Sequence, residues 1–169
     1  VLRNYARHYQ TGKPMPQELI DKFKASANFG QSYALGENLA SVTIDMAWGL
    51  LPAGTKITDV DAFEREALTK SGLPFTLVPP RYRSAYYLHV FGGGYASGYY
   101  SYLWTEVLDD NIFDWFQAHG GMTRENGQRF RDLVISRGNT KPVGTFFTEF
   151  TGLTEPDMSS LLRSRGLAK

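Results

Sequence analysis

One histidine and a run of phenols stand on either side of three consecutive glycines. His89 precedes Gly92-Gly93-Gly94, and Tyr95, Tyr99, Tyr100 and Tyr102 follow within eight residues. Tyr95, Tyr99, Tyr102 and Glu106 are separated by four, three and four positions. A helix beginning near Tyr95 would gather them on one face, with Tyr100, Leu103 and Val107 turned to the core. Three phenols and a carboxylate beside a glycine loop suit a groove that holds a polar chain such as a peptide. Spacing alone leaves a second reading open: amphipathic packing residues with their hydroxyls at the surface. The glycines permit positive φ and close backbone approach. They lack the Lys-Ser/Thr of a P-loop and the spacing of a dinucleotide fingerprint, so a phosphate cradle is poorly supported.

The rest of the chain offers little reactive chemistry. His8 lies in a basic helix end, and His119 in "AHGG", where a cation complements a helix C-terminus. No two histidines are four apart, no His-Glu-x-x-His is present, and no serine sits in a nucleophile elbow. The 169 residues contain no cysteine, so disulfides and thiolate metal sites are excluded. A net charge of +1 gives no electrostatic case for nucleic acid. No apolar run approaches the roughly 18 residues of a membrane span. The chain opens on Val1, and the expectation is a piece of a longer polypeptide.

The elements that must position these residues read as helical, in one unit over 1–169. Val1 to Gln10 reads as a helix end closed by "TGKP". Pro16 opens a helix with Leu19, Ile20 and Phe23 on one side. Leu35, Leu39, Val42, Met46 and Leu50 mark a core stripe between Phe29 and Leu51. Thr58 is expected to cap "TDVDAFEREALTKSG", with Gly72 as terminator. "LPFTLVPPRYR" reads as an extended connector. A long helix is predicted to about Phe116, then one capped by Thr123. Two short ones follow in "PVGTFFTEF" and "TEPDMSSLLRSRG", with Thr154 and Asp157 as a capping box.

"VPPRYRSAYYLHVFGGGYASGYYSYLW", with "GGMTRENGQRFRDLVISRGN" downstream and "YARHYQTGKPMPQEL" upstream, resembles the C-terminal part of bacterial peptidyl-dipeptidases. These belong to the thimet oligopeptidase family of zinc metallopeptidases, and the resemblance covers essentially the whole chain. It implies a mainly α fold: the helical C-terminal portion of a two-lobed, channel-containing, zincin-like enzyme. The zinc ligands of such an enzyme would lie upstream of Val1, so zinc belongs to the full-length enzyme and no metal ligand falls in this chain.

Carried over position by position, the resemblance makes His89 and Tyr102 catalytic. It makes Tyr95, Tyr99 and the loop Gly92, Gly93 and Gly94 substrate-binding. A phenol is neutral at pH 7 and gives a short O–H···O⁻ bond, which suits a developing oxyanion. Arg81 and Arg83 are candidates to grip a substrate's terminal carboxylate, since guanidinium pairs bidentately with carboxylate; surface arginines are the plainer alternative. The implied partners are short peptides and the N-terminal portion of the same polypeptide, with weak self-association of the piece. The implied compartment is the cytoplasm, or else the periplasm. The alternative function is a catalytically silent helical interaction module.

Overall fold

The computed structural model describes residues 2–73 and 78–168. They form α1 (Leu2–Tyr5), α2 (Gln17–Ser26), α3 (Gln31–Gly49), α4 (Val60–Lys70), α5 (Leu88–Phe91), α6 (Ser101–Ala118), α7 (Arg124–Leu133), α8 (Val143–Thr151) and α9 (Met158–Ser164). Two 3-10 turns, Ser84–Tyr86 and Ile135–Arg137, complete the regular structure. No strand occurs among the described residues, only an isolated antiparallel bridge between Arg7 and Pro14. The expectation of a mainly α chain is met. Residues 74–77 of the expected connector lie outside the described residues, and 78–83 carry neither helix nor strand.

Polar side chains cap α4, α7 and α9. Asp59, one residue later than expected, caps α4 by accepting the Ala62 N–H at 2.8 Å. Gly72 ends it as predicted. Its φ of +78° lets the Leu73 N–H return to the Leu68 carbonyl at 2.9 Å, a closure that an L side chain would strain. Thr123 caps α7 through the Asn126 N–H. At α9 the cap is Asp157, which accepts from the Ser159 N–H at 2.9 Å; Thr154 takes no part in it.

The core is assembled in patches. Ala40 and Ile44 of α3 meet Leu68 of α4, with Trp48 and Leu73 packed against them. On α3 the buried positions are Ala40, Ser41, Ile44 and Asp45, whereas the anticipated stripe is half-buried and Leu50 is exposed. The reason is that α3 is packed from two directions: α4 covers one side, and the segment around Tyr82–Tyr99 covers another, where Val42 is engaged. On α2 only Ile20 is buried; Leu19 and Phe23 face outward.

Farther along, Phe150 of α8 is enclosed by Trp115, Phe116 and Phe130 from α6 and α7. Polar pairs fasten α9 to α6. Arg165 forks onto Glu106 at 2.9 and 2.7 Å, Ser164 donates to Asp110 at 2.8 Å, and Ser160 donates to Asp114 at 2.7 Å. Glu106 is thus committed to α9 and does not join the tyrosines, as its spacing had suggested.

Candidate functional site

The site rests on a tyrosine core. Tyr82, Tyr87 and Tyr99 pack together, Tyr82 stacked on Tyr87 at 5.1 Å and Tyr99 edge-on to Tyr87 at 5.2 Å. Val90 and Val42 fill the space around them. Burial pushes the Tyr87 phenol far above its ordinary range, with Tyr99, Asp45 and Tyr82 adding to the push. The Tyr99 phenol moves the same way, chiefly through burial, and the nearby Arg81 charge offsets part of this. Both shifts favour the neutral phenol. Tyr87 and Val90 are three residues apart and bury one side of the short helix α5, which leaves His89 on its outer side.

His89 is the hub of the exposed half. Its Nε2 lies 2.7 Å from the Tyr102 hydroxyl. The Tyr95 ring stacks on the imidazole at 4.5 Å and 14°, and the Tyr99 ring meets it edge-on at 5.9 Å. Tyr95 and Tyr102 are 44% and 45% exposed, while Tyr99 is only 7% exposed. The four predicted residues do converge, but by a different route. The helix begins at Ser101, not near Tyr95, and residues 96–100 form turns. Tyr102 is therefore in the first turn of α6 rather than two turns inside it. Tyr95 reaches the same place because the chain folds back on α5. Tyr100, expected in the core, is exposed, whereas Val107 is buried as expected.

The glycines make that fold-back possible, each for its own reason. Gly94 has φ +81°, a region that suits glycine. A Cβ on Gly93 would stand 2.6 Å from the His89 carbonyl oxygen, and one on Gly92 would press on Leu88.

The two arginines separate. The Arg83 Nε donates to Glu64 at 2.8 Å and its Nη2 donates to Asp61, while the second Glu64 oxygen takes the Ser84 N–H. Glu64 is buried, and its hydrogen bond is the main cause that raises the already high Arg83 pKa. Arg83 is thus built into a structural ion pair. Arg81 is 56% exposed, with Nη1 3.7 Å from Glu37, and keeps the freedom to meet an anion. A cleft of about 410 Å³ lies between α4 and residues 83–91, lined by Trp48, Asp61, Glu64, Arg83, Tyr86 and Phe91 among others; none of His89, Tyr95 and Tyr102 lines it.

Sequence reading missed Asp45. Its side chain is 1% exposed, and it accepts the Ser97 N–H at 2.8 Å and the Tyr99 N–H at 3.0 Å. The available signal was an aspartate in the apolar run "SVTIDMAWGL", because a buried carboxylate needs partners. No group of three histidine or acidic side chains that could hold a metal occurs among the described residues. Nor is any helix among them long and apolar enough to cross a membrane.

A helical wall that presents a histidine and two accessible phenols around a glycine turn is the kind of surface a peptide backbone can meet. Residues 1–167 match the model of Peptidase family M3, and the chain belongs to that family. It is 44% identical over 167 residues to dipeptidyl carboxypeptidase of Escherichia coli strain K12, a match covering 99% of this chain and 24% of that protein. It is 36% identical to organellar oligopeptidase A of Arabidopsis thaliana, covering 99% of this chain and 21% of that protein. Against oligopeptidase A of E. coli K12 it is 35% identical, covering 95% of this chain and 23% of that protein. The chain spans about a quarter of the length of the curated relatives it matches.

Proposed function

We propose that residues 1–169 form one helical unit in the C-terminal part of the catalytic domain of a cytoplasmic zinc peptidase that releases dipeptides from the free C-termini of short peptides. The described residues hold no cluster of histidine and acidic side chains that could ligate zinc; in this reading the metal is held by the N-terminal portion of the same polypeptide. What this chain contributes is hydrogen-bond donors for the reacting peptide. The observation that carries the reading is the 2.7 Å pair of His89 and Tyr102, with Tyr95 stacked on the same imidazole, in a member of this peptidase family.

The pair is suited to a developing oxyanion. When His89 carries its proton on Nε2, the ring donates to the phenol oxygen, and the Tyr102 proton is left to point at substrate. The imidazole then polarises the phenol and strengthens it as a donor. Tyr102 also stands in the first turn of α6, at the end of the helix dipole that favours negative charge. Tyr95 bears on the bound peptide. Gly92–Gly94 let its backbone approach, and Arg81, exposed, meets its terminal carboxylate. Tyr99, buried, acts by holding the neighbouring rings.

The test uses the zinc-loaded full-length polypeptide and an N-terminally blocked peptide with a free or an amidated C-terminus. Release of a C-terminal dipeptide from the free acid only is expected, and the isolated 1–169 chain should cleave neither. Failure to cleave any short peptide would contradict the reading, and equal cleavage of the amide would replace dipeptide release by endopeptidase action. The isolated chain should also self-associate weakly at high concentration, since Phe23, Phe29 and Leu50 are open to water. A strict monomer in sedimentation would count against that.

A further inference from the structure

We infer that Asp45 is a positioning residue for the reaction, fixing from α3 the backbone that sets Tyr95 and Tyr102 around His89. The inference rests on the functional reading above. An aspartate in the middle of a helix, 1% exposed, must be compensated. Its compensation is specific: each carboxylate oxygen takes one backbone N–H, from Ser97 and from Tyr99. These N–H groups belong to the turns at 96–100 that lead into α6. Asp45 thus fixes the approach to α6 from a different helix.

A second contact fixes the same turn. Ser97 has φ +55°, the one positive φ at a non-glycine among the described residues. Such a conformation persists only where the surroundings hold it. Gly49 stands one helical turn beyond Asp45. A Cβ there would overlap the Ser97 hydroxyl and lie 3.0 Å from the Ser97 Cβ. So α3 receives Ser97 at two points, a carboxylate and a missing side chain. From Ser97 and Tyr99 the effect passes to the reactive rings over short paths. Tyr95 lies two residues before Ser97, and the Tyr99 ring is edge-on to Tyr102 at 5.2 Å. An asparagine at 45 keeps the volume but turns one N–H acceptor into a donor, so one of the two clamps opens.

The experiment uses the zinc-loaded full-length polypeptide carrying 3-fluorotyrosine at position 102, whose ¹⁹F resonance reports the hydrogen bond to His89. Asp45→Asn should lower kcat/KM of the folded enzyme about tenfold to a hundredfold, mostly in kcat. It should also move the ¹⁹F resonance toward its position in the His89→Ala protein. Gly49→Ala should produce the same two changes, and adding Ser97→Gly should reverse them, because glycine accepts φ +55° and removes the clashing hydroxyl. A folded Asp45→Asn enzyme with wild-type kcat/KM and resonance would overturn the inference. If Asp45→Asn does not fold, Gly49→Ala decides: an unchanged rate and resonance there also overturn it. Should the wild-type enzyme cleave no peptide, the functional reading has failed, and the ¹⁹F response still shows whether Asp45 sets the His89–Tyr102 pair.

Discussion

His89 and Tyr102 face each other at 2.7 Å across the glycine turn, which joins the outer side of α5 to the first turn of α6. Neither residue is held by its own helix alone. His89 is kept outward by the burial of Tyr87 and Val90 on either side of it, and Tyr102 by the turn that Asp45 clamps. The pair therefore has a fixed geometry while both residues remain exposed.

Tyr95 should divide from Tyr102 in steady-state kinetics of the full-length enzyme. Tyr95→Phe keeps the ring stacked on His89 and removes only the hydroxyl. It should raise KM several-fold with kcat close to wild type. A fall in kcat with KM unchanged would move Tyr95 into the transition-state set.

Glu64 should be worth more to folding than an ordinary surface acid. It is buried and satisfies both Arg83 and the Ser84 N–H. Glu64→Gln leaves Arg83 its Asp61 contact but removes the buried charge. It should lower unfolding free energy by about 1–3 kcal/mol in urea titration. An unchanged urea midpoint would mean that the pair merely breaks even with its desolvation.

Phe150→Ala should be among the most damaging changes in the second half of the chain. The ring is fully buried among Trp115, Phe116 and Phe130. The expected loss is about 3–5 kcal/mol, from transfer and cavity terms together. A loss below about 1 kcal/mol would mean that the site collapses around the gap.

Two aspartates on either side of the α6–α9 seam should respond to pH with opposite signs. The Asp157 carboxylate is held below its ordinary 3.8, first by the Ser159 hydroxyl and then by the Ser159 N–H. Its contribution is present above 3.8 and is lost as pH falls through the lower folded value. Asp110 is pushed above 3.8, mainly by burial, with the Ser164 hydroxyl partly opposing this. Its ionisation therefore costs stability as pH rises through the folded value. Urea midpoints should show Asp157→Asn destabilising at pH 7 and Asp110→Asn slightly stabilising. Both differences should shrink toward zero well below pH 3.8, where all the carboxyls are protonated. Differences of the same sign at pH 7 would contradict the assignment.

The helical character of the chain was legible because its caps and terminators are local: Gly72 and Thr123 act where the sequence placed them. Thr58 and Thr154 failed because a neighbouring aspartate, a better acceptor, took each cap. The site was legible in residue type. His89, Tyr95, Tyr99 and Tyr102 do gather, but helical spacing was the wrong reason, since residues 96–100 are turns held by a carboxylate fifty-odd positions earlier. Asp45 stayed hidden for the same cause: its partners are backbone N–H groups, which leave no mark in side-chain patterning. Periodicity also mislaid the core face of α3, because two elements pack on that helix from different directions.

The most direct test of the account is Tyr102→Phe in the zinc-loaded full-length enzyme, which deletes one hydroxyl and little volume. If the phenol donates to the oxyanion while His89 holds it, kcat and kcat/KM should fall together by on the order of 10²–10³, with KM scarcely changed. A variant that keeps wild-type kcat and only loses substrate affinity would contradict it, and would give Tyr102 the binding role proposed for Tyr95.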